Sequence, residues 1–416
     1  MSSGRSLPEV RHFLAYGHSD QATFRAAAVQ ESFDYLTVPG TIASYYPDAT
    51  AAFVLTSRVE YVIDPRTPLF QGFIGIPRAS HFTLAAWHGD RVAEHLGDSQ
   101  HRTSVSFSAD FYDRNSVGLL VDSVIQAQRT YGQRAPAIQQ KLDRYRRLLA
   151  TAQGRVIQAT PEERRPPAFV IAPYFVTDGH DRWAEVNDQI IERCLDLPDA
   201  RSISAMIAVD SVARLRQRFA AVPGELAPTT FFWVHSFNER SVPESELRSM
   251  WSTVLDLAQE RPIVNFYGGF FSICMGKIGL WGFNNGLGYS ESRDWPDLSA
   301  TGAAPARYYM RPLHAYVAPS LGQFITERLP AWACDCPVCA GRRVVALTYH
   351  DLKRHFALSR RWEIDLVAGT TLDQLASTLA DAAQRYEADV APMVPPGTQR
   401  FDVSYLRRWA SVLRRP

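Results

Sequence analysis

The chain has 416 residues, 46% of them hydrophobic and 21% charged, with 44 Lys+Arg against 43 Asp+Glu for a formal charge of +1. This is the composition of an ordinary globular chain, which excludes wholesale disorder, and its balanced charge excludes a polybasic coat protein, because sequence-independent phosphate binding needs many cations. No stretch approaches the roughly 18–20 apolar residues of a membrane span, and the N-terminal MSSGRSLPEVRHF has charge but no apolar stretch, so neither a membrane partner nor a secretory signal is expected and the expected location is cytoplasmic.

Eight short apolar runs read as strands, at 12–16, 35–38, 60–63, 169–174, 203–209, 230–236, 263–267 and 280–283. Several are apolar at nearly every position, as in Phe169-Val170-Ile171-Ala172 and Met206-Ile207-Ala208-Val209. A strand buried on both faces has this pattern and belongs to a parallel sheet covered by helices. Eight such strands with room for crossover helices predict an α/β fold, a (β/α)8 TIM-type barrel; a doubly wound open sheet is the structural alternative. Between the third and fourth strands the pattern predicts helices over 116–131 and 135–152, the second with Ile138, Leu142, Tyr145, Leu148 and Leu149 at helical spacing. Arg144, Arg146 and Arg147 read as that helix's solvated face, and Glu162–Pro167 as a loop into the fourth strand. After the eighth strand, 299–306 is a loop of small residues, Pro and Gly. Thr371 is placed to cap a helix running to about 389, and a short basic helix spans 403–413. The expected division is a barrel over 1–305, a metal-binding subdomain over 306–366 and C-terminal helices closing the barrel over 367–416.

Five cysteines are few and unevenly placed: Cys194 and Cys274 stand alone, while Cys334, Cys336 and Cys339 crowd into ACDCPVC. An odd, clustered set points to metal rather than disulfides. Cys-x-Cys-x-x-Cys is a tight knuckle that turns three thiolates toward one point, and a fourth ligand is available from His350 or His355. Three thiolates and one imidazole close a tetrahedral zinc site, leaving no open position, so the expected cofactor is a structural Zn2+.

A Cys-x-Cys-Pro-x-Cys knuckle followed by a helix with a zinc histidine, late in a (β/α) barrel, resembles the tRNA-guanine transglycosylase (queuine/archaeosine tRNA-ribosyltransferase) superfamily, whose relatives include enzymes inserting 7-deazaguanines into DNA. By that resemblance the zinc subdomain follows the eighth strand and His355 is the better-fitting fourth ligand, with His350 open. The family's Asp-Ser-Gly-Gly-Phe/Tyr-Gln is loosely matched by Asp64 through Phe70-Gln71, which implies Asp64 at the base pocket; as a residue before Pro65 it also reads as a cap or turn. The family's Gly-(Ile/Val)-Asp-Met-Phe-Asp aligns with Gly279–Asn284, so Asn284 stands where the nucleophilic aspartate would be. An amide carries no negative charge and is a poor nucleophile. It can bond a sugar hydroxyl, or simply tolerate a turn before Gly286. Gly268 and Gly269 resemble the family's Gly-x-Gly turn, where backbone approaches a ligand.

In a barrel, strand C-termini share one mouth. They would bring together Asp64, Tyr174, Asp178, Asp210, His235, Asn238, Glu239, Tyr267–Phe270 and Asn284, with Tyr289, Glu291 and Arg293 further along the last loop. Asp64, Asn284 and Glu291 are the catalytic candidates; Tyr174, His235, Gly268, Gly269, Tyr289 and Arg293 are the substrate-binding ones. Tyr174, Phe270 or Tyr289 would stack on a planar base, whereas Phe231, Phe232 and Trp233 read as core, and Asp210 and Glu239 equally as helix caps. The resemblance implies a transglycosylase-like pentosyltransferase acting on or binding a guanine or 7-deazaguanine N-glycosidic site in tRNA, DNA or a nucleoside. With the nucleophile replaced, the alternative is a catalytically inactive nucleic-acid-binding subunit of a larger modification complex, working as a homodimer or with a protein partner.

Overall fold

In the computed structural model, which describes residues 9–57, 59–131, 135–154, 166–179, 181–226, 229–288, 291–299, 305, 307–394 and 401–414, the apolar runs become strands. They are β1 (Arg11–Ala15), β2 (Tyr35–Pro39), β3 (Glu60–Asp64), β4 (Gly72–Ile74), β5 (Val105–Phe107), β6 (Val170–Ile171), β7 (Val176–Thr177), β8 (Ile203–Ser204), β9 (Met206–Val209), β10 (Thr230–Val234), β11 (Ile263–Asn265), β12 (Gly282–Gly286), β13 (Tyr308–Met310) and β14 (Ala315–Val317). Eight of them form one parallel, curled sheet in the order β3-β2-β1-β12-β11-β10-β9-β7. The first strand therefore lies beside the last, with Arg11 opposite Gly282 and Ala15 opposite Gly286.

The expected fourth strand is broken. Only Val170–Ile171 of it is strand, pairing with β8, and Phe169 touches β3 through one parallel bridge with Val62; the segment that pairs with β9 is β7, beyond the expected end at 174. Pro173, which has no N–H to offer a ladder, lies at the break. Side chains take over where neighbouring strands are missing. Gln128 bonds both N–H and C=O of Ile171, at 3.0 and 2.7 Å, and Gln71 does the same for Val176, at 2.8 and 2.7 Å. Thr67 serves Tyr174, and Asn187 serves Phe175. Buried backbone groups must be paired, and here amide side chains imitate the absent strand.

Curling of the sheet is visible in its filling. Phe13, Tyr35, Phe169, Phe231 and Trp281 meet with centroid separations of 4.4 to 5.9 Å, although they come from opposite parts of the strand order. Phe231, Phe232 and Trp233 are core, as expected.

Helices Arg114–Arg129 and Ala135–Gln153 form near the expected positions, the first capped by Asp113, which accepts from Ser116 N–H at 2.8 Å. Arg144 and Arg147 are exposed on the second. Thr371 caps Leu372–Arg385 with a reciprocal bond from Gln374, and that helix packs on Ser404–Arg414. The antiparallel pair β13–β14, the cysteine knuckle and helix Tyr349–Gly369 follow the sheet; the expected boundary at 366 falls inside that helix. Most of the loops expected at 162–167 and 299–306 lie outside the described residues. Among the described residues, no helix is long and apolar enough to cross a membrane.

Candidate functional site

The knuckle is held by its own backbone: Cys339 and Ala340 N–H both donate to Cys336 O at 2.9 Å, and the chain leaves through Gly341 at φ 70°. Opposite it, Thr348 and Asp351 form a capping box that fixes where helix Tyr349–Gly369 begins. Two turns later this points fully buried His355 at the sulfurs. The ligand atoms of Cys334, Cys336, Cys339 and His355 all lie within 4.8 Å of one another. His355 Nδ1 is 3.6 Å from Cys336 Sγ and 3.3 Å from Cys339 Sγ. A tetrahedral ion with ordinary zinc bond lengths would place nitrogen and sulfur about 3.6 Å apart. The other ring nitrogen, Nε2, donates to Tyr309 O at 2.7 Å, which leaves the Nδ1 lone pair facing the thiols. Tyr308 stacks flat on the ring at 4.6 Å.

His350, the other candidate, turns away and meets Thr23 Oγ1 at 3.1 Å. Cys336 is held well below the usual thiol range by hydrogen bonds from Cys334 and Cys339. Burial works against a charged imidazole at His355, yet the sulfurs of Cys334 and Cys336 lift its pKa to about 9. A metal ion bound by the thiolates and the Nδ1 lone pair would displace protons from these groups. The buried Cys3His cluster can therefore bind a metal.

The strand-end residues fall into separate groups. Asp64 is buried at the C-terminal end of β3; Oδ1 accepts from Tyr174 O–H at 2.7 Å and Arg66 N–H at 3.1 Å, and Oδ2 lies 2.6 Å from Arg66 Nε. Arg66 holds a left-handed backbone, φ 56°, to reach back to it. Tyr267, also left-handed at φ 64°, lies under Arg293, whose guanidinium carbon is 5.8 Å from the ring centre. Burial, with Arg66 nearby, pulls the Arg293 pKa down. Asp64, Tyr174, Tyr267 and Arg293 thus belong to one cluster. Sequence reasoning missed its central cation, Arg66; its proximity to Asp64 within the loop was the available signal.

Gly268 and Gly269 form a turn around fully buried Glu239, which accepts from the N–H groups of Gly269, Phe271 and Ser272 at 2.9, 3.0 and 3.1 Å. Glu239 thus caps helix Phe270–Met275 and not the next helix in the chain, Glu244–Glu260, which was the expected one. A Cβ on Gly269 would come within 2.8 Å of the Glu239 carboxylate, so close packing accounts for this glycine. Burial raises the Glu239 pKa despite these bonds. Glu291 lies across the same turn, paired with Arg360 and, at 3.4 Å, with Arg240.

Asn284 is buried in β12, and its amide donates to Phe13 O at 3.0 Å and Thr37 Oγ1 at 2.9 Å. Its donors bind the sheet together, so the protein-internal partner is the one found. His235 meets Ser236 Oγ at 2.9 Å. Phe270 stacks at 3.5 Å on His314 and has no open face for a base. Tyr289 lies outside the described residues. Asp210 pairs with Arg214 at 2.9 Å.

A second group that sequence reasoning missed joins the subdomain to the sheet. Arg360 and Glu363, both fully buried, pair at 2.6 Å; Glu363 also meets His314 at 2.6 Å and Tyr309 O–H at 2.8 Å, and Arg360 reaches Glu291. Burial opposes ionisation of Glu363, but Arg360 and then His314 outweigh it and lower its pKa. The signal was there: Arg360 and Glu363 share a helical stripe with Phe356, Ile364 and Val367. No protein-family model matches the chain, and a search of curated proteins finds no match either.

Proposed function

We propose that this chain is a zinc-stabilised (β/α)8 barrel protein, transglycosylase-like, that binds a guanine or 7-deazaguanine base at the C-terminal rim of its sheet and acts at the N-glycosidic bond. The observation carrying the reading is the convergence of Cys334, Cys336, Cys339 and His355 in a subdomain that follows the eighth parallel strand. Closure of the sheet into a ring is supported by the Val62–Phe169 bridge and by the aromatic rings that meet inside it. Zinc, once bound, supplies structure only, because four protein ligands leave no position for substrate. Asp64 offers the carboxylate that would accept the N–H groups of the base, which would have to displace its present partners Tyr174 and Arg66.

A second reading rests on Asn284. Its amide donors are both committed inside the sheet, and an amide is no nucleophile, which favours a base-binding subunit that places tRNA or DNA for a catalytic partner. Calorimetry with 7-deazaguanine, run beside an assay for exchange of labelled guanine into tRNA and DNA, tests both. Exchange supports the enzyme. Binding that disappears in Asp64→Asn without any exchange supports the subunit. Neither binding nor exchange overturns both readings.

A further inference from the structure

Four non-glycine residues among those described hold a positive φ, and three of them, Arg66, Ser236 and Tyr267, stand two residues past the ends of β3, β10 and β11. Outliers of this kind collect where a fold holds reacting groups in place. Arg66 and Tyr267 belong to the Asp64 cluster. Ser236, at φ 64°, is instead exposed, with its Oγ 2.9 Å from His235 Nδ1. A hydroxyl beside an imidazole, on a tight turn at the C-terminal end of a parallel strand, is the arrangement an activated serine needs. A carboxylate stands next to the imidazole. Val209 pairs with Val234, so Asp210 and His235 are the next residues on neighbouring strands, whose backbones run about 4.8 Å apart. His235 N–H donates to Val209 O at 2.8 Å, which carries that register one step past the ladder. Asp210 Oδ2 is taken by Arg214, but its buried Oδ1 has no hydrogen-bond partner among the described residues.

We infer that Ser236 is a nucleophile that cleaves carboxylic esters, with His235 as its base and Asp210 as the positioning residue for the ring. This activity is separate from the base site at Asp64 and does not rest on it. With the ring proton on Nε2, Nδ1 accepts from the Ser236 hydroxyl and Nε2–H is left for Asp210 Oδ1. As Oγ bonds to the carbonyl carbon, its proton passes to Nδ1. The C–O bond to the alcohol then breaks, and the alcohol leaves with that proton. Water reverses the sequence: its proton goes to Nδ1 and its oxygen bonds the acyl carbon. Ser236 then departs with that proton, and the product is the free carboxylic acid. The backbone N–H groups of Ser236 and Asn238, on the same turn, have no partner among the described residues, which leaves donors for the developing oxyanion. Esters are favoured over amides because an alcohol is the easier group to expel.

The test is labelling of the full chain with a fluorophosphonate, read by mass spectrometry, beside hydrolysis of p-nitrophenyl acetate. The label should sit on Ser236 and on no other serine, and the labelled protein should lose ester hydrolysis. Ser236→Ala should remove both with an unchanged unfolding temperature, since the side chain is exposed. His235→Gln should slow labelling about a hundredfold and erase the decline of rate in acid that the intact chain shows. Asp210→Asn should slow labelling about tenfold or more and move that acid limb, which a merely structural role would leave in place. No label on Ser236 at millimolar reagent, full-rate labelling in His235→Gln, or ester hydrolysis undiminished in Ser236→Ala would each overturn the assignment. An acid limb unmoved in Asp210→Asn would overturn the role given to that carboxylate.

Discussion

The Cys3His cluster and the Asp64 cluster both bury charge-bearing groups, yet their atoms are engaged differently. Around His355, three sulfurs and one imidazole nitrogen face a common point, with the remaining ring nitrogen tied to Tyr309 O. Around Asp64, the arrangement brings its own cation: Arg66 pairs with the carboxylate, and Tyr174 donates to it. The first is a set of ligands that can hold a positive ion. The second is already neutralised within the chain. A chelator should therefore act on one region and leave the other untouched.

The largest effect is expected at the knuckle. Cys336→Ser, or removal of metal by a chelator, should unfold the subdomain, because binding free energy at a structural site is folding free energy, on the order of 10 kcal/mol in small zinc modules. Metal analysis should give close to one zinc per chain, and proteolysis of the chelated protein should open the chain after 306 first. A chain that keeps its full stability without metal would erase the contrast between the two regions.

At the other cluster, Arg66→Met should cost about 3–5 kcal/mol in urea denaturation, since it strands Asp64 as a buried charge. Arg66→Met combined with Asp64→Asn should recover much of that loss. Metal content should stay unchanged in both variants.

A smaller effect sharpens the comparison through pH. Burial lowers His88, which bonds Pro65 O beside Asp64 at 2.9 Å, from 6.5 to about 4. His12 is likewise lowered to about 4 by burial, with Arg360 adding to the shift while Asn285, Ser32 and Asp34 oppose it. A depressed histidine pKa means the unfolded chain binds the proton first. The stabilisation is therefore whole above pH 6.5 and lost as the pH falls through 6.5 toward 4, on the order of 3 kcal/mol for each histidine. His88→Gln should flatten the unfolding free energy between pH 6.5 and 5. A slope unchanged in that variant and in His12→Gln would remove both residues from the account.

The metal ligands were legible in the sequence because the knuckle is local: three thiolates within six residues can meet at one point whatever the rest of the chain does. The strands were legible for a similar reason, since burial on both faces writes a continuous apolar run, and caps such as Thr371 act over three residues. The resemblance favoured His355 and left His350 open; the tertiary structure decided between them, because that depends on the helix start and on what Thr23 offers across space. It alone decided that Asn284 bonds Phe13 and Thr37, and that Gln71 and Gln128 stand in for a missing strand. The same holds for the pairing of Arg360 with Glu291 and Glu363, and of Glu363 with His314, which needs three segments to close on one another. Local spacing fixes what neighbouring residues can share; which buried polar group finds which partner is a long-range question, settled by the cost of leaving any of them unpaired.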